Sequence, residues 1–404
     1  MILFFASAVS AWAGAVSLTV DGAAGHALQC NPTLAAARLR IEEARARLQQ
    51  RGRLSNPELD LEFTRHTIGR EGSASVALLQ RLPLTARLRY EKAITRAELA
   101  AAEAEVRDAE RKLAAEARAA AVKLIALRGQ RALRTEQLAQ SRELFGFLLK
   151  RVESGEASLV DASQAELEAR QIEIEDLQLE AEEVTLRGEI RPLLGIVGEV
   201  AVHITGTLPA PIRGPAGADP AERPDLRAAE FRSEAARAGV LAQAARRWED
   251  IGIGASYSRE RVLDEPRSIE TEQIVGLRFS LPLPLWNNNA GRIREAQAEA
   301  ARAELEVAAV ALNAHAEVAA ARAAMSAYAR LIDELDGKAL PKATEIEDLL
   351  RRSYATGQTP LTEVLRTRTR RLELQRQRLD ALRDYHLARI RHDSALGHPQ
   401  PTTP

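Results

Sequence analysis

The sequence is poor in aromatic residues, in sulfur and in long apolar runs. Only 4% of its 404 residues are aromatic, while 28% are charged. A thick globular core needs large side chains; the Ala, Leu, Glu and Arg that dominate here suit long, narrow helices. Cys30 is the single cysteine, which excludes an intramolecular disulfide. One cysteine and two methionines give no ladder for a soft metal ion. Acidic and basic residues interleave to a net charge of −1 with no basic block to hold phosphates, so no nucleic-acid partner is expected. His26, His66, His203, His315, His386, His392 and His398 are scattered, and none pairs with another as metal ligands beside a catalytic carboxylate. No enzyme, cofactor or metal site is therefore expected. After the N-terminus no stretch offers the ~20 apolar residues of a membrane-spanning helix. If this chain crosses a membrane, it does so as strands.

What is present has a definite order. Ile2–Ser10 is apolar and leads to Ala11-Trp12-Ala13, the pattern of a secretory signal over 1–13 cut after Ala13. A lipid anchor on Cys30 is not favoured, because Ala27-Leu28-Gln29 before it lacks the required small residue. A half-buried thiol near the end of a short helix, Ala23–Leu28, is expected instead. Asn31-Pro32-Thr33-Leu34 opens a helix to about Leu54, with Pro32 where its missing donor costs nothing. Residues 58–64 alternate apolar and polar as a strand, a loop covers Ile68–Ser73, and a second strand, Ala74–Leu82, ends at Pro83. Between Thr85 and Ser154 there is no proline, so a helix of roughly 100 Å is expected. Gly155 interrupts it, and a return helix runs from Leu159 to about Ile190, before Pro192.

After a Pro/Gly-rich linker over 201–222 the pattern starts again. Arg223-Pro224-Asp225-Leu226 matches the earlier helix start, and Ile251–Ser258 alternates as a third strand. A charged loop, Arg259–Glu272, leads to a fourth strand over 275–281. Pro282 and Pro284 end it, since neither ladder nor helix runs through them. From Gly291 a second long helix begins, weakened at Gly337 and Pro341, and a last helix ends near Leu396. The chain thus divides into 1–13, a first repeat 14–200, the linker 201–222, a second repeat 223–397, and a tail 398–404 expected to be disordered.

Four strands with one apolar face set a physical problem. An open sheet edge in lipid leaves backbone groups unpaired, and the smallest closed barrels have about eight strands. Several copies would have to close one barrel, with Leu59, Phe63, Ile253, Tyr257 and Phe279 towards lipid and Asp60, Glu62, Thr64, Arg278 and Ser280 towards water. Alternation alone equally fits a small soluble sheet with one wet face; the signal-like start favours the membrane. The Ala-rich helices would pack side by side as a tube beneath such a barrel.

Two motifs carry a family resemblance. One is the helix-hairpin tip: Arg151-x-x-x-Gly155-x-x-Ser158-Leu159-x-Asp161 pairs with Tyr354-x-x-Gly357-x-x-Pro360-Leu361-x-Glu363. The other is the junction Leu281-Pro-Leu-Pro-Leu-Trp-Asn-Asn-Asn-Ala-Gly291-Arg292. The chain resembles the TolC-like outer membrane factors over nearly its whole length, and the junction is most similar to the CzcC-type heavy-metal subgroup. There the stretch usually carries an acidic and a basic residue, where this chain has Asn287–Asn289.

The resemblance implies a mainly α fold: long antiparallel helical hairpins forming a periplasmic tunnel, plus four strands given to a trimeric transmembrane β-barrel, with an internal two-fold repeat. It implies an outer-membrane exit duct, a homotrimer working with a periplasmic adaptor protein, a proton-driven inner-membrane pump and outer-membrane lipid. Heavy-metal cations are the implied cargo; drugs or secreted polypeptides are the alternative, and a coiled-coil scaffold without a channel is the alternative from another class. Gly155, Ser158, Leu159, Gly357, Pro360 and Leu361 fall at the adaptor-docking tips, with Leu159 and Leu361 expected exposed; the same residues also serve to cap a helical hairpin. Asp161, Gln164, Glu363 and Arg366 match the periplasmic aperture, where Arg366 departs from the family's acid. Pro83, Pro282, Pro284 and Gly291 mark the strand-to-helix junctions.

Overall fold

A computed structural model describes residues 16–65, 71–155, 158–198, 200–212, 222–264 and 268–397, with the backbone alone for 262–264 and 268–269. The expected signal 1–13 and tail 398–404 lie outside the described residues, as do Ile68–Arg70 of the first loop and 213–221 of the linker. The elements are β1 (Val16–Leu18), α1 (Val20–Cys30), α2 (Pro32–Gln50), β2 (Glu58–Arg65), β3 (Gly72–Leu82), α3 (Arg87–Glu153), α4 (Leu159–Leu194) and β4 (Val202–Ile204). Then follow α5 (Pro224–Ala245), β5 (Ile251–Asp264), β6 (Ser268–Ser280), α6 (Ala290–Glu334), a π turn at Leu335–Ala339, α7 (Leu340–Ala355) and α8 (Leu361–Ala395). No helix among the described residues is long and apolar enough to cross a membrane. Two compact units divide the chain: one holds 1–37, 107–223 and 312–404, the other 38–106 and 224–311.

In the first unit, the segments of α1, α3 and α4 close over a core in which alanines interleave with larger aliphatic residues. Ala23, Ala27, Ala117 and Ala121 meet Leu124, Ile190 and Leu194, and small side chains let the helix axes come close. The strands β1 and β4 pair in parallel, Val16 opposite Val202 and Leu18 opposite Ile204, and β4 buries both apolar residues in this core. These three-residue strands are absent from the sequence reading, which has 201–222 as linker throughout. Cys30 is exposed at the last position of α1, so the half-buried thiol is corrected.

The return helix α4 also runs further than expected, through Pro192 to Leu194. Proline removes one intrahelical donor, and the last carbonyls of a helix need partners from elsewhere in any case. Asn31 supplies them: its Nδ2 donates to Pro192 O (3.2 Å) and Leu193 O (3.0 Å), while its Oδ1 accepts from Thr33 N (2.9 Å) as the cap of α2. His26 Nδ1 donates to Leu194 O at 3.1 Å. Gly337 and Pro341 do not break the second long helical run. It passes through them as the π turn, which Arg378 of α8 holds by Nη2 donating to Asp336 Oδ2 (3.0 Å).

The second unit carries one four-stranded antiparallel sheet in the order β2-β3-β5-β6. Each hairpin comes from one half of the chain, and β3–β5 pairing joins them with Val76 opposite Tyr257. The charged stretch Arg259–Glu272 is not a loop: β5 continues to Asp264 and β6 begins at Ser268, with Glu260 opposite Glu272. Helix α5 is tied to the nearby part of α6 by Arg237 Nε donating to Glu304 (2.8 Å).

Candidate functional site

The two helix-hairpin tips lie in the first unit and are built alike. The α3–α4 turn has Gly155 at φ +76° and the α7–α8 turn has Gly357 at φ +74°, both in the left-handed region that a helix-ending turn requires. Ser158 Oγ accepts from Val160 N (3.2 Å) and starts α4. Pro360 holds the corresponding place before α8 without a side-chain cap; there Ser353 Oγ and Thr359 Oγ1 bond to each other at 2.6 Å.

The matching leucines part company. Leu159 is 66% exposed, beside exposed Val160, whereas Leu361 is 2% exposed and packs on Leu148, Ala162 and Ala165. The expectation that both stand free is corrected for Leu361, which fastens α8 to the α3–α4 hairpin. Asp161 is half-buried and Gln164 exposed. Glu363 and Arg366 pair within α8 at 3.5 Å, with side chains 47% and 81% exposed. A pair so open to water contributes little to stability.

Further along the same unit lies a charged group that the sequence reading did not single out. Glu183 is buried at 4% exposure and takes Arg131 Nη1 at 2.9 Å and Arg128 Nε at 3.4 Å, with Arg187 one helical turn away. Burial pushes its carboxyl pKa up, but the hydrogen bonds from Arg131 and Arg128 and the charge of Arg187 outweigh that and hold it low. Arg128 also donates to Ile204 O, so the cluster braces β4. Glu183 lies 55 residues from Arg128 and 52 from Arg131, so no local pattern in the sequence joins them. Among the described residues no group of three or more His, Cys, Asp or Glu side chains could hold a metal ion.

The sheet of the second unit has the two faces expected of it. By register, Leu59, Phe63, Val76, Leu78, Ile253, Tyr257, Leu277 and Phe279 share one face, and most are well exposed. Asp60, Glu62, Thr64, Ser258, Arg278 and Ser280 share the other. Strands β2 and β6 each have one edge without a partner strand among the described residues. At the foot of the sheet, Pro83 ends β3's hand-over to α3, and Pro282 and Pro284 lie between β6 and α6. The three asparagines after them are structural. Asn287 Oδ1 accepts from Asn289 N (3.0 Å) and Asn288 Oδ1 from Ala290 N (3.1 Å). Asn289 takes φ +59° and donates Nδ2 to Gln243 O (2.7 Å), so α6 starts at Ala290, one residue before Gly291.

This fold, helical hairpins with a one-faced sheet, is that of known outer-membrane channels. CusC superposes with a TM-score of 0.81 at 20% identity over 94% of this chain and 92% of its own. The outer-membrane channel OprN gives 0.80 at 21% identity over 95% and 91%, and VceC of Vibrio cholerae 0.75 at 21% over 94% and 96%. No curated protein matches the sequence. The sequence itself matches the outer membrane efflux protein family twice, over residues 23–195 and 220–398. The chain belongs to that family.

Proposed function

We propose that this protein is the outer-membrane exit duct of a tripartite efflux pump, passively conducting what a pump and adaptor deliver. The observation that carries the reading is the sheet: one apolar and exposed face, one polar face, and an unpartnered edge on β2 and on β6. Four strands cannot close alone, and three copies would give twelve, an even number within the range of bacterial barrels. In this reading the protein sits in the outer membrane with most of its length in the periplasm, the two repeats 14–200 and 223–397 serving as equivalent wall segments. The polar face lines water.

The tips at Gly155–Leu159 and Gly357–Leu361 dock on the adaptor, beneath which lies a proton-driven inner-membrane pump. Exposed Leu159 and Val160 suit that contact, while buried Leu361 gives the tip its shape. Asp161, Gln164, Glu363 and Arg366 ring the aperture, where Arg366 offsets Glu363 and weakens any attraction for cations. Heavy-metal cations are the cargo that the junction resemblance supports. Deleting the gene should then lower tolerance to heavy-metal salts; unchanged metal tolerance with new drug sensitivity would transfer the cargo to drugs.

Extraction of cell envelopes, unheated gel electrophoresis and planar-bilayer conductance test the duct. The expected species is a detergent-requiring trimer that dissociates on heating and conducts ions, and Arg366→Ala should raise its leak in the closed state. A water-soluble species without conductance would leave only a helical scaffold. Unchanged closed-state conductance in Arg366→Ala would remove that residue from the aperture.

A further inference from the structure

The foot of the sheet holds a cavity of about 800 Å³ within the second unit. Its floor is the cross-strand row Arg81, Gly252 and Ser280, on the same face as Asp60 and Glu62 and opposite the face of Leu59 and Phe63. Glycine in the middle of that row lets the side chains of Leu79 and Ser280 close in, each 3.3 Å from where a Cβ would stand. Around it stand Arg81, Arg87, Arg246, Arg247 and Arg292, against the carboxylates of Glu249 and Asp250. Trp248 and Trp286 complete the lining, and Trp286 is 95% exposed.

Three of the arginines have work within the wall. Arg87 Nη2 donates to Asp250 at 2.6 Å, Arg246 Nη2 to Glu91 at 2.7 Å, and Arg81 pairs with Glu58 at 3.3 Å. Arg247 and Arg292 have no carboxylate partner among the described residues, and the Nε of Arg87 is buried with no acceptor. Guanidinium groups stay charged at any pH the protein meets, so the cluster cannot relieve its repulsion by losing protons. An anion relieves it. The planar fork of arginine fits a carboxylate, sulfonate or phosphate two bonds at a time, and an indole face accepts an aromatic or apolar body beside it.

We propose that this cavity is a binding site for an organic anion, its acidic group held by Arg247 and Arg292 and its apolar part on Trp286. Being on the polar face, the site meets solutes from water, not lipid chains; that it lies on the cargo's route rests on the duct reading. With Arg81, Arg87 and Arg246 held by carboxylates, Arg247 and Arg292 outnumber the one remaining lining carboxylate, Glu249, so the site favours anions over the metal cations considered above.

Calorimetric titration of the full chain in a nonionic detergent tests it, with 2-naphthoate, inorganic phosphate and Zn²⁺ each added alone. Naphthoate should saturate one site per chain, phosphate should bind more weakly, and Zn²⁺ should not bind at these residues. The double variant Arg247→Gln, Arg292→Gln breaks no ion pair, so it should fold, checked by circular dichroism, and lose naphthoate affinity by about tenfold or more. Trp286→Ala should weaken naphthoate and leave phosphate unchanged. Equal naphthoate affinity in the double variant, Zn²⁺ heat that the double variant abolishes, or phosphate binding as tightly as naphthoate overturns the proposal. Conductance of the same preparation separates the two readings: binding without conductance sinks the duct alone, and conductance without binding sinks the site alone.

Discussion

At the scale of single residues, His386 shows how an unremarked side chain becomes a fastening. It is 7% exposed, and its Nε2 donates to Pro209 O at 2.8 Å. The neighbouring Tyr385 hydroxyl donates to Ile212 O (2.7 Å) and accepts from Ile212 N (3.1 Å). Together they pin 209–212 to α8. Burial holds the imidazole pKa below its ordinary 6.5, Arg389 pushes the same way, and the Pro209 carbonyl only partly opposes them. The unfolded chain therefore binds the proton more readily than the folded one. The stabilisation is complete above the unfolded pKa and is lost as pH falls below it towards the folded value. On going from about pH 7.5 to about pH 5.5, the thermal midpoint of the native protein should fall further than that of His386→Gln, which keeps a donor but cannot titrate. Equal falls would assign the pH dependence elsewhere. Nothing in the sequence marks His386 out from the other six histidines, because its partner Pro209 lies 177 residues away.

At the scale of elements, most of the architecture was legible because hydrophobic period is a local property. The proline-free run from Thr85 gave α3, and alternation at Leu59–Phe63 and Ile251–Tyr257 gave β2 and the first half of β5. The failures share one cause: the deciding partner is far away in sequence. Beyond Tyr257 come four polar residues, Ser258 to Arg261, and then the adjacent apolar pair Val262 and Leu263, so no period of two survives, and only the backbone ladder with β6 reveals the strand. The three residues of β1 mean nothing without β4, and α4 outruns Pro192 because Asn31 waits for its carbonyls. Leu159 and Leu361 match in motif, yet Leu361 alone meets another hairpin.

The asparagine junction lies between these cases. Three asparagines in a row signal a turn, but only the structure assigns each a bond. Asn289→Ala should cost about 1–3 kcal/mol, since it loses the bond to Gln243 and keeps a left-handed backbone that alanine disfavours. Asn289→Gly removes the bond but not the permitted φ, so it should lose less. Thermal unfolding followed by circular dichroism ranks the three proteins; glycine as damaging as alanine would deny the backbone a part in starting α6.

At the scale of the whole molecule, a membrane duct requires that only one face of the sheet meet lipid. Leu277 is 89% exposed on β6, among Leu78, Tyr257 and Phe279 on the apolar face, while Glu62 lies on the polar face of β2. A soluble sheet with these faces would bury its leucines against something, and among the described residues nothing covers them. In a bilayer the same leucines are where they belong, and an arginine there costs about 2–4 kcal/mol near the midplane. Leu277→Arg should therefore sharply reduce the heat-dissociable trimer recovered from envelopes. Glu62→Arg adds the same side chain facing water and should leave the trimer near its native amount, altering only ion selectivity. If the two substitutions are equally harmful, or equally harmless, the sheet does not present one face to lipid and the barrel reading fails with it. If only Leu277→Arg is harmful, the exposed leucines, the unpartnered edges of β2 and β6, and the polar face with its arginine-lined foot all belong to one wall between lipid and water.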